Sequence, residues 1–134
     1  MTLKIHNVTA KISSAISLVD IEFEVEAGSV TVVIGPNGAG KTSLLRAICS
    51  DLPLGDGVIT LNHKVISQWD AQSKATLLAI LPQRSSLEFP FTVEEVVTMG
   101  RIPHSTSNSQ NRDIVNKALA LVDCNHLIAR SFIN

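Results

Sequence analysis

The chain has 134 residues, the size of one ordinary domain, and is long enough to bury a hydrophobic core. Hydrophobic residues make up 45% and charged residues 17%, which excludes disorder, and a formal net charge of -1 gives no electrostatic reason to expect a nucleic acid as partner. We expect neither a signal peptide nor a membrane span. Cys49 and Cys124 lie far apart without metal-ligand spacing, which favours a reducing compartment.

The first third of the chain predicts a half-exposed antiparallel sheet followed by a buried strand. Apolar and polar residues alternate over residues 3–8 and again over residues 19–26, which is typical of strands with one face in solvent. Residues 30–34, in contrast, form a β-branched run without alternation. This pattern predicts a central parallel strand that is covered on both faces.

The middle of the chain predicts alternating helices and strands. Apolar residues recur at helical spacing from Lys41 to about Cys49. Residues 58–66 predict a short strand, a turn and a second strand, and residues 70–74 predict a weak helix. Residues 76–81 form another apolar run, which predicts a second buried strand.

The last third predicts two helices separated by a polar loop. Thr92 and Glu95 form a capping box, T-x-x-E, which predicts a helix that begins there and ends at Gly100. Arg101 follows this helix directly and is predicted to cap its C-terminal carbonyl groups. The next helix is predicted over about residues 112–122.

One motif between the predicted buried strand and the helix carries chemistry. Residues 35–42 read GPNGAGKT and fit G-x-x-x-x-G-K-S/T, the phosphate-binding loop. Its glycines permit positive φ and bring backbone N–H groups close to a di- or triphosphate. Lys41 supplies a positive charge, and the Thr42 hydroxyl can ligate Mg²⁺. The predicted phosphate-binding residues are Gly35, Pro36, Asn37, Gly38, Ala39, Gly40, Lys41, Thr42 and Ser43. A plain glycine-rich turn is the alternative.

Hydrolysis of the bound nucleotide needs further groups, including an acidic residue that helps to hold Mg²⁺. Such a residue usually ends a strand. Gly35 and Pro82 follow the two predicted buried strands, and Asp123 follows a predicted helix. The sequence therefore predicts phosphate binding, and it supplies no candidate for this acid.

Three stretches together resemble the ATP-binding subunits of ABC transporters: GPNGAGKTSLLRAI, LPQ at residues 81–83, and FPFTVEEVVTMGRIPH at residues 89–104. Within that family, LPQRSSLEFPFTVEEVV is most similar to the ATPases of hemin importers, with ferric siderophore and cobalamin importers as alternatives. The resemblance implies an α/β fold of the P-loop NTPase type. An N-terminal antiparallel β subdomain and an incomplete parallel core sheet would occupy residues 1–83, and residues 84–134 would begin the helical subdomain.

The resemblance also implies roles for particular residues. ATP and Mg²⁺ would be the cofactors, with Lys41 and Gln83 as catalytic residues and with Thr42 and Gln83 on the metal. Gln83 would sense the γ-phosphate, and residues 84–104 would dock on a membrane permease. The subunit would pair head to tail with a second ATP-binding subunit at the cytoplasmic face of the inner membrane. It would contact neither the transported solute nor a nucleic acid.

Two departures from the family pattern shape these expectations. Residues 8–17 contain no aromatic side chain that could stack on adenine, so that Ile12 or a neighbour would pack on the base. The chain also stops about where the family continues into its L-S-G-G signature, which predicts an N-terminal fragment that does not hydrolyse ATP alone. A non-hydrolysing nucleotide-binding remnant is the alternative function. A small nucleotide kinase is a weaker one, because the arginines show no clustered motif.

Overall fold

The computed structural model describes residues 1–13, 17–83 and 89–132. The chain divides into two compact units, Met1–Lys74 and Ala75–Asn134. The division expected from the family resemblance, at residues 83 and 84, remains a prediction. In the part of the chain that the structure describes, no helix is long and apolar enough to cross a membrane.

The first unit contains a four-stranded antiparallel sheet. Strands β1 (Leu3–Lys11), β2 (Ser17–Val25), β3 (Asp56–Leu61) and β4 (Lys64–Val65) lie in the order β2-β1-β3-β4. All three pairings are antiparallel. The half-exposed antiparallel strands predicted from the alternation are thus confirmed, as is the strand-turn-strand prediction for residues 58–66.

One side of β1 and β3 forms the core of the first unit. Ile5 lies opposite Phe23 on one neighbour and opposite Ile59 on the other. Ile5, Val8, Ile59 and Leu61 are almost fully buried. Burying side chains of this size stabilises the unit by roughly 1.5–3 kcal/mol each. Outward-facing residues of β1 and β2 form ion pairs instead, such as Lys4 with Glu24 at 3.0 Å.

Helix α1 (Lys41–Ile48) follows the glycine-rich loop, as predicted. Leu44, Ala47 and Ile48 are buried, so one face of the helix contributes to the core. Cys49 is the C-cap residue that follows the helix, and its backbone carbonyl accepts a hydrogen bond from Lys74 Nζ at 3.2 Å.

The two buried-strand predictions were wrong. Residues 30–34 adopt no strand, and Val30 and Ile34 are 90% and 86% exposed. Residues 76–81 are not a strand either, because helix α2 (Ala71–Leu77) extends into them and Leu81 is 94% exposed. An apolar, β-branched run favours extended backbone, but a strand forms only beside a hydrogen-bonded neighbour. Within the described ranges no parallel pair of strands is formed.

The second unit is helical. Helices α3 (Val93–Met99) and α4 (Asn108–Leu121) both begin with a capping box, and α4 buries Val115 and Leu119. The box at Thr92 and Glu95 was predicted. Ser107 and Gln110 form the second box, which is why α4 begins several residues before its predicted start.

The prediction that Arg101 caps helix α3 is confirmed by its backbone, because the Arg101 N–H donates to the Thr98 carbonyl at 2.8 Å. Its guanidinium donates to Asn111 Oδ1 at 3.0 Å and to Thr106 Oγ1 at 3.4 Å. Asn111 Nδ2 in turn donates to the Thr106 carbonyl. Arg101 therefore ties the loop between α3 and α4 to the first turn of α4.

Candidate functional site

The loop that precedes helix α1 folds into a tight turn. The Ala39 N–H donates to the Pro36 carbonyl at 3.3 Å, which closes a four-residue turn. Gly38 and Gly40 have φ angles of +83° and +91°, in the left-handed region that residues with a Cβ rarely adopt. The glycines at these two positions therefore have the conformational role that the sequence predicted.

The side chain of Lys41 folds back over this turn. Its Nζ atom donates to the carbonyl oxygens of Gly35 and Pro36, each at 2.8 Å. An ammonium group has three N–H donors, so these two contacts leave a third for another acceptor. The positive charge of Lys41 is thus held against the loop backbone at the position where the motif predicts phosphates.

Helix α1 begins without a side-chain cap. Its N-cap residue is Gly40, and its first turn contains no acidic residue. The first hydrogen bond of the helix runs from the Leu44 N–H to the Gly40 carbonyl at 2.8 Å. The three preceding N–H groups have no intrahelical partner, as at any helix start, and they lie at the positive end of the helix dipole. They belong to Lys41, Thr42 and Ser43. A helix start of this kind is suited to bind an anion.

Two apolar side chains from the start of the chain lie against Gly40. A Cβ atom at position 40 would lie 2.9 Å from Leu18 Cδ2 and 3.7 Å from Ile12 Cδ1. Ile12 therefore lies beside the loop, and its contact with adenine stays a prediction. Residues 14–16 of the same segment lie outside the described residues. Sequence analysis missed Leu18, because no local pattern links two residues that are 22 positions apart.

The remaining predicted site residues are placed as follows. Thr42, the proposed Mg²⁺ ligand, is exposed at the start of α1, and Ser43 is half-buried one residue later. Gln83 is exposed and belongs to the second unit, whereas the loop belongs to the first. Residues 84–88, the first part of the predicted permease-docking segment, lie outside the described residues.

The described residues contain no group of His, Cys, Asp and Glu side chains that could hold a metal ion by itself. Thr42 and Gln83 as metal ligands stay predictions.

Comparison with known proteins defines the family to which the chain belongs. Residues 18–133 match the family model described as ABC transporter, so the chain belongs to the ABC transporter family. A solved structure titled "Structure of ATP binding subunit of ABC transporter" has the same fold, with a TM-score of 0.82 and 20% identity. The match covers 98% of this chain and 54% of that one.

Curated relatives narrow the resemblance within the family. The chain is 43% identical over 131 residues to the hemin import ATP-binding protein HmuV of Pseudomonas entomophila, covering 98% of this chain and 51% of the relative. It is 47% identical over 114 residues to HmuV of Pseudomonas putida, covering 85% of this chain and 45% of the relative. The chain thus spans about half the length of the curated relatives it matches.

Proposed function

We propose that this chain is the nucleotide-binding part of the ATP-binding subunit of an ABC importer. MgATP binds at residues 35–43, and in the whole protein its hydrolysis is coupled to the uptake of hemin. The observation that carries the proposal is the uncapped start of α1 with the Lys41 ammonium held against the preceding loop. The relatives named as hemin import proteins support the choice of hemin over a ferric siderophore or cobalamin.

The geometry suggests how the site receives phosphates. The N–H groups of Lys41, Thr42 and Ser43 would donate to phosphate oxygens without losing any helical hydrogen bond, because they have none. Lys41 would use its third N–H for the β- and γ-phosphates while it keeps both loop carbonyls, so little rearrangement is needed. Thr42 would supply its hydroxyl to Mg²⁺, and Ile12 would pack on the base.

The wider assembly is part of the same proposal. Gln83 would reach the γ-phosphate and Mg²⁺ and act with Lys41 in catalysis. A second ATP-binding subunit would complete the site in a head-to-tail dimer. Membrane permease subunits would hold the pair at the cytoplasmic face of the inner membrane. The family match and the transporter relatives support these partners in general terms.

The binding claim is tested by calorimetric titration of the chain with MgATP. The Lys41→Ala variant should bind at least about tenfold more weakly, because a hydrogen bond between charged groups contributes roughly 1.5–3 kcal/mol. Lys117→Ala is the matched control, since it removes one positive charge from an exposed helical position in the second unit. Equal affinities for wild type and Lys41→Ala would contradict the proposal.

Phosphate release separates hydrolysis from binding alone. Steady-state release by the chain clearly above that of Lys41→Ala would show that this polypeptide hydrolyses ATP. Binding without such release would make the chain by itself a non-hydrolysing nucleotide-binding unit. Uptake of hemin, a ferric siderophore and cobalamin by vesicles carrying the complete transporter would identify the solute.

A further inference from the structure

We propose that Asn37 is a site of spontaneous deamidation, and that the resulting carboxylate closes the loop to nucleotides. The chemical step stands on the geometry of Asn37 and Gly38. Its consequence for nucleotides rests on the function proposed above.

The sequence singles out Asn37 among the asparagines. It is followed by Gly38, and this is the only Asn-Gly pair in the chain. Deamidation begins when the next residue's backbone nitrogen attacks the side-chain amide, and a Cβ on that next residue hinders the approach. Glycine has no Cβ, so the ring closes most easily at this pair. The other internal asparagines are followed by Val8, His63, Ser109, Arg112, Lys117 and His126.

The structure leaves room for the reaction. Asn37 is exposed, and apart from the two chain neighbours of Gly38 no atom of the described residues lies within 4 Å of the position that a Cβ would take there. Among the described backbone groups none accepts a hydrogen bond from the Gly38 N–H. The turn around the pair is closed by the Pro36 to Ala39 bond, whose 3.3 Å length lies beyond the usual range for N–H···O bonds. The backbone hydrogen bond across the pair is therefore a weak one.

The reaction needs only solvent. The Gly38 nitrogen gives up its proton to water and bonds to Cγ of Asn37, while the bond from Cγ to the side-chain nitrogen breaks and that nitrogen takes up a proton from water and leaves as ammonia. The product is a five-membered succinimide. Water then adds to one of its two carbonyl carbons and breaks the bond from that carbon to the ring nitrogen. The loop is left with aspartate or isoaspartate in place of asparagine.

The product carries a negative charge at the proposed phosphate site. The Lys41 ammonium is already held by the carbonyls of Gly35 and Pro36, the two residues that precede Asn37. It would therefore attract the new carboxylate. Phosphates would then meet a like charge and a partly neutralised lysine. Conversely, a bound nucleotide would engage the Gly38 N–H and slow the attack.

The test follows the mass of every asparagine-containing peptide while the full chain is incubated at neutral pH, with and without MgATP. Asn37 should convert several-fold faster than Asn62, an exposed turn residue that precedes histidine. MgATP should slow conversion at Asn37 alone. In Asn37→Gln, ring closure would need a less favourable six-membered ring, so position 37 should stay unmodified. Asn37→Asp should bind MgATP at least about tenfold more weakly than fresh wild type.

Each result decides one part of the proposal. Conversion at Asn37 no faster than at Asn62 would overturn the deamidation site. Fast conversion together with full MgATP affinity in Asn37→Asp would overturn its consequence. If fresh wild type did not bind MgATP at all, the proposed function would fail, whereas the peptide masses would still decide whether Asn37 deamidates.

Discussion

Helices α1 and α3 begin in opposite ways. In α3 the first three backbone N–H groups all have acceptors within the second unit. These hydrogen bonds are Val93 N–H to the Arg130 carbonyl at 3.0 Å, Glu94 N–H to the Ile128 carbonyl at 3.1 Å, and Glu95 N–H to Thr92 Oγ1 at 3.3 Å. The Glu95 carboxylate also accepts a hydrogen bond from the Thr92 N–H at 2.7 Å. Residues of the second unit thus accept hydrogen bonds from the first N–H groups of α3, and we call such a helix start sealed.

Among the residues that the structure describes, the start of α1 shows none of these hydrogen bonds. Its N-cap is a glycine, its first turn carries a lysine and no acid, and the structure shows no side-chain cap. An unsealed helix start leaves its N–H groups to solvent or to an anion. The difference teaches that the second unit provides acceptors for the first N–H groups of its helix, whereas the proposed phosphate binding needs those groups without such acceptors in α1.

Placing an acidic residue in the first turn of α1 should have the largest effect on MgATP affinity. Ser43 stands at the third position of α1, where Glu95 stands in α3. Ser43→Glu should stabilise the helix by roughly 0.3–1 kcal/mol, since a carboxylate favours the positive end of the dipole. The same charge would repel phosphates, so MgATP affinity should fall by at least about 100-fold in a calorimetric titration.

Ser43→Gln is the neutral control for that variant. It has a similar shape but no charge, so it should keep more of the affinity than Ser43→Glu. If the glutamate variant bound MgATP as tightly as the glutamine variant, phosphates would not lie at the start of α1.

A smaller effect is expected on the stability of the loop. Gly40→Ala should lower the free energy of unfolding by about 2 kcal/mol, because alanine is strained at a φ of +91° and its Cβ would crowd Leu18. Gly28→Ala, at a φ of +75° with open space around it, should lower it by only about 1 kcal/mol. Urea unfolding measures both values, and equal losses would argue against the Leu18 contact.

Removing the N-cap side chain of α3 should lower the stability of the chain without changing its MgATP affinity. Thr92→Ala removes the cap of α3 and should reduce the free energy of unfolding by about 1 kcal/mol. MgATP affinity should not change. Thr98→Ala, at an exposed position within the same helix, is the control and should not destabilise the chain. A loss of MgATP affinity in Thr92→Ala would show that the two helix starts are not independent.

The smallest expected effect is on the pH dependence of stability. Two hydrogen bonds from Thr92 hold the pKa of Glu95 below its usual value. The Thr92 backbone N–H donates to the Glu95 carboxylate and has the larger effect, and the Thr92 hydroxyl donates to the same carboxylate and has the smaller one. A carboxyl with a lowered pKa in the folded state stabilises that state above its unfolded pKa, and this contribution is lost as pH falls through the folded pKa. Circular dichroism melts should therefore show a steeper acid loss in wild type than in Glu95→Gln. Parallel pH profiles would exclude this contribution.

The parts of the fold that the sequence predicted correctly depend on local patterns. Helix α1 and the T-x-x-E box are each set within a few residues, and the alternation of β1 and β2 is read within one strand. The turn at Gly38 and Gly40 was predicted for the same reason.

The parts that failed depend on distant partners. Residues 30–34 have the composition of a buried strand but are exposed, since composition does not supply the neighbour that a strand needs. The contacts of the Arg101 guanidinium with Asn111 and Thr106 were missed, because no helix-capping pattern predicts them. The Leu18 contact with Gly40 joins separate elements. The roles of Lys41, Gln83 and the metal-binding Thr42 remain predictions.

The most direct test of the open helix start is a titration of the isotope-labelled chain with MgATP, followed by amide NMR. The amide signals of residues 38–43 should shift strongly, and those of Val93, Glu94 and Glu95 at the sealed start of α3 should stay in place. Unchanged signals for residues 38–43, or equal shifts at the two helix starts, would contradict the account.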